Sequence, residues 1–319
     1  MRLRATLWGC VAGLLAPLAA LAQAPRLLDD MKDAGRWTAS ASDQVRASLA
    51  RERDGSLCLN YDFAGVSGYA VMRRELAMDW PEDFVLQARL RGRGDGNDLQ
   101  LKLVDASGDN VWWVNRPALA LPRTLTELAF KRRHVSFAWG PTPDRQLRST
   151  RFLEFTVVAG QQGGGRGQLC VAALKLQPRL AAPAAWPAPQ RSDSPGQTVL
   201  DHGRPREFNG LWLQWPQMAR GLDYRLEASQ DGQRWTLLRE VQGSDGGSDA
   251  LYLPEQEWRW LRLRYPRGQA APRVALRDAA QWPDRNAMLS ELARGLPRGE
   301  MPRAFVGEQL GMEALESWD

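Results

Sequence analysis

Apolar and polar residues alternate with a period of two in short runs along this chain, and Gly, Asp, Asn and Pro separate the runs. That period puts successive side chains on opposite faces of a strand, so these segments can bury one face only as part of a sheet. The runs cover residues 56–63, 71–76, 84–91, 99–104, 111–114, 152–158 and 169–176. No helical period interrupts them, and several short strands at this spacing predict a β-sandwich or barrel. The Gly-rich stretches 92–98 and 160–167 read as hairpin connections that tolerate positive φ. The second lacks the Gly-Lys-Ser/Thr ending of a phosphate cradle.

Residues 179–197 interleave Pro183, Pro187, Pro189 and Pro195 with Ala. That composition stays extended and predicts a linker. It separates a first module, 25–178, from a shorter second one, 198–266, with runs at 211–215, 223–229, 234–240, 250–253 and 258–264. A tail, 267–319, follows. Within it Asp284 is a cap candidate, Met288, Leu289 and Leu292 form an apolar stripe, and Gly295 and Pro297 are stop signals, which together predict one short amphipathic helix. The expected fold class is therefore all-β, two antiparallel sandwiches with a short C-terminal helix. The helix needs a partner for its apolar face.

At the N-terminus, Arg2 and Arg4 precede an apolar run over 7–21 and the small-residue site Ala20-Leu21-Ala22. Residues 1–22 read as a secretory signal peptide, and the apolar run is short for a membrane span. The expected location is periplasmic or secreted. There Cys58 and Cys170 either form a disulfide or remain two buried thiols. The net charge of +5 is carried almost entirely by arginines scattered among Asp and Glu, without the single basic face that nucleic-acid binding asks for.

Alternation also assigns faces. Phe84, Leu86, Ala88 and Leu90 turn inward and leave Gln87 and Arg89 outward. Leu99, Leu101 and Leu103 leave Gln100 and Lys102 outward, and Leu153, Phe155 and Val157 leave Glu154 outward. If these strands are neighbours, one sheet presents Gln87, Arg89, Gln100, Lys102 and Glu154 with an aromatic from Trp112 or Trp113, Trp112 being the candidate carried forward. An aromatic covers the apolar side of a pyranose, while amide, guanidinium and carboxylate groups satisfy its hydroxyls. The alternative is an ordinary Lys102–Glu154 cross-strand pair above core tryptophans.

Two stretches carry a family resemblance. Ser229-Gln230-Asp231-Gly232-Gln233-Arg234-Trp235-Thr236 and Trp258-Arg259-Trp260-Leu261-Arg262-Leu263 resemble the coagulation factor 5/8 type C (discoidin) family. The resemblance implies a β-sandwich displaying a ligand, commonly a glycan or lipid head group, from loops at one end. The second module is shorter than a full discoidin domain. Residues 97–105, followed by Gly108-Asp109-Asn110-Val111-Trp112-Trp113, resemble family 11 carbohydrate-binding modules and related galactose-binding-like sandwiches, in which a concave sheet holds the glycan. Residues 297–309 resemble the lead-in to a glycoside-hydrolase-like domain of larger secreted bacterial proteins, which implies a shortened relative lacking the enzyme.

Catalytic motifs are absent: His134 and His202 are the only histidines, and neither has the neighbours of a zinc site or a triad. No catalytic residue and no cofactor is assigned. Hard oxygen ligands at Asp95, Asn97 and Asp98, or at Asp105 and Asp109, suit a structural Ca²⁺ or are plain turn residues. The resulting expectation is a secreted, non-catalytic protein that binds an oligo- or polysaccharide, alone or as the accessory region of a glycan-active enzyme. The alternative is a periplasmic interaction protein whose C-terminal tail docks a protein partner.

Overall fold

The computed structural model describes residues 24–294 apart from 95, 162 and 217–220. Residues 1–23, which include the expected signal peptide, Asp95 and the segment 295–319 lie outside the described residues. The chain divides after Ala181 into two units, each with its own core.

In the first unit the strands are β1 (Arg26–Asp29), β2 (Trp37–Ala41), β3 (Arg46–Arg51), β4 (Leu57–Asp62), β5 (Tyr69–Asp79), β6 (Asp83–Arg93), β7 (Asp98–Val104), β8 (Val111–Arg116), β9 (Thr126–Lys131), β10 (Ser136–Trp139), β11 (Ser149–Val158) and β12 (Arg166–Arg179). They form two antiparallel sheets. One has the order β3-β4-β12-β6-β9 with β1 also paired to β12; the other has the order β10-β8-β7-β11-β5-β2. The inner faces supply the core. Phe84, Leu86, Ala88 and Leu90 from one sheet meet Leu99, Leu101, Leu103, Leu153, Phe155 and Val157 from the other, as their alternation requires.

One charged pair crosses this core. Asp29, on β1, accepts from Met31 N at 2.7 Å and from Trp37 Nε1 at 3.0 Å, and it forms an ion pair with Arg74 of β5, both side chains 6% exposed. Cys58 and Cys170 stand directly opposite on β4 and β12 and form a disulfide, fully buried.

The second unit consists of β13 (Gln190–Ser194), β14 (Gln197–Gln214), β15 (Leu222–Ser229), β16 (Thr236–Ser244), β17 (Ser248–Arg264), β18 (Arg273–Arg277) and the helix α1 (Arg285–Arg294). It is built on a single sheet, β13-β14-β17-β15-β16, with β18 also on β14. The two long strands break register between Asp201 and Arg206 and again between Phe208 and Gly210. Pro254, which has no N–H to give, and Glu255, at φ 62°, mark the second break. Either side of the breaks, Leu200, Leu226 and Leu263 on one half and Leu211, Leu213 and Leu251 on the other enter one core. The sheet therefore folds over on itself. Asn209 holds this corner, accepting from Glu255 N at 3.0 Å and donating to Trp282 O at 2.8 Å.

Three expectations change here. The linker 179–197 is not free of strand, because Gln190–Ser194 pairs with β14. Its residues are all exposed, so this edge strand leaves no apolar pattern to read. The second module does not end at 266, since β18 and α1 belong to it. The helix does not need an outside partner: Met288, Leu289 and Leu292 pack with Trp282, Ala250, Trp212 and Tyr252 of the same unit. Asp284 caps it, accepting from Ala287 N at 2.8 Å.

Gly210 makes that packing fit. A Cβ at this position would lie 2.4 Å from the Trp282 ring and 2.4 Å from Leu251 O. The indole therefore rests directly on the strand's backbone.

Candidate functional site

The outer face of the β10-β8-β7-β11-β5-β2 sheet carries a transverse row set by strand register. Ser136, Trp113, Lys102, Glu154, Arg73 and Thr38 follow one another across it. A second row, Asn115, Gln100, Thr156, Val71 and Ser40, lies two residues further along. Residues on neighbouring strands in one row sit within side-chain reach of each other.

Arg73 Nη1 lies 3.3 Å from Glu154 Oε1, and its guanidinium carbon stands 3.8 Å over the Phe152 ring. Burial pushes the Glu154 carboxyl up, opposed by the positive charges of Arg73 and Lys102. Burial likewise pushes the Lys102 ammonium down, opposed by Glu154. Both groups are thus held in a partly dehydrated setting, where hydrogen bonds to a ligand count for more than they would in water.

Two aromatic side chains flank Lys102. Its Nζ is 5.3 Å from the Trp139 ring centre and 5.8 Å from that of Tyr69, and these rings are 46% and 44% exposed. Trp139 reaches this face because β10 carries a register shift between Phe137 and Trp139. Without the shift, residues 137 and 139 would share a face; with it, Phe137 packs inward on Trp112 while Trp139 turns out to meet Trp113 edge-on at 5.6 Å.

The second row holds polar capacity that the fold leaves unfilled. Asn115 Oδ1 and Thr156 Oγ1 are buried and have no hydrogen-bond partner. Orphaned polar atoms of this kind are rare and call for a specific reason. The two fall in one row with Gln100.

The sequence-derived candidates separate into three groups. Gln100, Lys102 and Glu154 come together as expected. Gln87 and Arg89 do not join them, because β6 lies in the other sheet, between β12 and β9, and its outward side chains point away on the opposite side of the sandwich. Trp112 is core: it is 6% exposed, packs with Phe137 and donates from Nε1 to Arg145 O at 2.8 Å. Its neighbour Trp113 holds the outward position instead. Arg73, Tyr69, Asn115 and Trp139 escaped sequence reasoning, whereas the alternation that turns Glu154 outward turns Thr156 outward with it. Arg73 was findable as an outward residue in the run 71–76, whereas Trp139 depended on a bulge and Tyr69 on a strand beginning two residues before its apolar run.

Three of the calcium candidates, Asp105, Asp98 and Asn97, already accept hydrogen bonds from the chain. Asp105 accepts from Ser107 Oγ, Gly108 N, Asn110 N and Asn110 Nδ2, and Asp98 accepts from Ala118 N. Asn97 is likewise used within its loop, with Oδ1 accepting from Gly164 N at 2.6 Å. Among the described residues no cluster of three or more His, Cys, Asp or Glu side chains is placed to hold a metal ion.

No family model matches this chain, and no curated protein matches it. Solved structures do align with it. A family 11 carbohydrate-binding module of a cellulosomal cellulase of Clostridium thermocellum aligns over 50% of this chain and 97% of that module, with 14% identity and a TM-score of 0.39. A family 61 module, solved in complex with β-1,4-galactotriose, aligns over 48% of this chain and 99% of its own, with 13% identity and a TM-score of 0.29. The glycoside hydrolase domain of Endo-D from Streptococcus pneumoniae R6 aligns over 77% of this chain and 37% of its own, with 14% identity and a TM-score of 0.31.

Proposed function

We propose that this is a secreted or periplasmic, non-catalytic carbohydrate-binding protein whose ligand lies on the outer face of the β10-β8-β7-β11-β5-β2 sheet. One observation carries the reading: the exposed rings of Tyr69 and Trp139 flank Lys102, which shares a register-aligned row with Glu154 and Arg73. Aromatic rings take the C–H faces of sugar rings, and the Lys102, Glu154 and Arg73 groups bond the hydroxyls.

The disulfide supports an oxidising compartment, as does the signal-like N-terminus. The non-catalytic part of the proposal draws on the two histidines. His134 Nδ1 is engaged by Arg116 Nη2 at 3.1 Å and by Lys131 N at 3.2 Å, and His202 is buried in the second unit. Neither is available as an acid or base at the face.

Affinity electrophoresis of the mature protein through gels containing mixed-linked β-glucan, galactan or xylan tests the proposal. Retardation by at least one polymer, with no release of reducing sugar on incubation, is expected. Free migration through every polymer would refute binding, and release of reducing sugar would refute the non-catalytic assignment.

A further inference from the structure

A second place in the molecule has the features of a binding site, independent of the face just described. On the folded sheet of the second unit, β14 and β18 run side by side with Trp212 opposite Ala275 and Gln214 opposite Arg273. Ala275 is the short residue between Arg273 and Arg277 on one face of β18, so a gap opens above it beside the Trp212 indole. The gap is a cavity of about 270 Å³ whose lining includes Trp212, Gln214, Arg273, Ala275, Arg277 and Glu291.

One wall is fixed in place. Glu291, from α1, accepts from Arg277 Nη2 at 2.9 Å and from Trp282 Nε1 at 2.5 Å. The Arg277 guanidinium carbon also lies 5.4 Å from the Trp212 ring centre and 5.9 Å from that of Trp282. The opposite rim is uncommitted: Arg273 and Gln214 are exposed, and neither side chain makes a hydrogen bond or ion pair among the described residues. The Trp212 N–H, buried, has no acceptor either. Two guanidinium groups against one carboxylate leave an excess positive charge beside an aromatic wall, in a space poor in acceptors.

We propose that this cavity binds a single sugar ring bearing a carboxylate, a hexuronate, free or at the end of a chain. Arg273 pairs with the carboxylate, Gln214 bonds a ring hydroxyl, and the ring lies against the indole of Trp212. The volume falls just below the usual range for ligand pockets, about 300–1,000 Å³, which suits one ring rather than a polymer segment. A charge-assisted guanidinium–carboxylate contact is the strongest interaction that the exposed rim can offer.

Titration calorimetry of the full mature chain with glucuronate tests the assignment, with glucose and acetate as the ring-only and carboxylate-only comparators. Saturable binding of glucuronate is expected, weakened about tenfold or more by Arg273→Gln, and glucose and acetate should each bind about tenfold more weakly or worse. Gln214→Ala should weaken glucuronate binding by a smaller factor. Both positions are exposed, so an unchanged melting temperature verifies folding of the variants. Absence of saturable glucuronate binding, unchanged affinity in Arg273→Gln, or either comparator binding as tightly as glucuronate would overturn the proposal. The Trp139→Ala variant separates the two sites: it should leave glucuronate binding intact whatever becomes of the polymer-binding face.

Discussion

Single residues decide which tryptophan packs and which is displayed. Trp112 and Trp113 are adjacent and chemically identical, yet strand alternation puts the first in the core and the second outside. Trp112→Ala removes a large buried ring and strands the Arg145 carbonyl, so it should cost about 3–5 kcal/mol by chemical denaturation. Asp29 is a comparable case with a different cause. Asp29→Ala would leave Arg74 charged, buried and unpaired, and a loss of about 3–5 kcal/mol is expected in the same measurement. A loss below about 1 kcal/mol would mean that Arg74 finds water once its partner is gone. Neither partnership was legible in the sequence. Asp29 and Arg74 are 45 positions apart and look like ordinary polar residues until β1 and β5 are brought to opposite sheets of one sandwich. The alternation of Lys102 and Glu154 with leucines and aromatics was legible, because period two leaves no other placement once one face is buried.

At the level of elements, sequence reading succeeded where strands are central and failed where they are edges or corners. β6, β7 and β11 bury a full apolar face and so announce themselves. β13 is an edge strand with every residue exposed, and its Gln-Arg-Ser-Asp-Ser sequence has no pattern to detect. The break in β17 made one long strand look like two short ones, 250–253 and 258–264, and of β14 only its last part, in the run 211–215, showed a pattern. Asp231-Gly232 lies between the runs 223–229 and 234–240, in the six-residue connection that joins β15 to β16. There Asp231 accepts from the N–H groups of Gln233 and Arg234 at 2.9 and 2.8 Å, and Gly232 takes φ 73°. The corner of the second unit depends on Asn209, 3% exposed. Asn209→Ala deprives Glu255 N–H and Trp282 C=O of their partners, and the buried Trp282 C=O costs about 1–3 kcal/mol. Denaturation should report a loss in that range, and hydrogen exchange should show α1 opening more readily. An unchanged exchange rate in α1 would mean that Trp282 packing alone fixes the helix.

Across the whole molecule, two cores imply two transitions that answer to different perturbations. The Cys58–Cys170 bridge spans 112 positions within the first unit, and loop entropy assigns such a closure about 4–5 kcal/mol. Calorimetry with a reductant should therefore lower the first unit's transition and leave the second in place. Acid should act on the second. His202 is 7% exposed with neither ring nitrogen bonded, and burial, together with the nearby Arg206 charge, pulls its pKa down to about 4, while Asp201 opposes the shift. Because the folded value lies below the unfolded one of about 6.5, the stabilisation is complete above pH 6.5 and drains away as pH falls toward 4. At about 1.4 kcal/mol per unit it amounts to at most about 3 kcal/mol. His202→Gln should flatten the pH dependence of the second transition across that window, and an unchanged slope would assign the loss to other groups.

The central claim is that the face bearing Tyr69, Trp139 and Lys102 holds a carbohydrate. Isothermal titration of the mature protein with a soluble polysaccharide that retards it in gels, repeated with Tyr69→Ala and with Trp139→Ala, addresses it most directly. Both rings are nearly half exposed, so each variant should keep its melting temperature, and each should lose affinity by about tenfold, the order of a stacked aromatic contact of about 1–1.5 kcal/mol. Folded variants that bind the polymer as tightly as the parent protein would contradict the account.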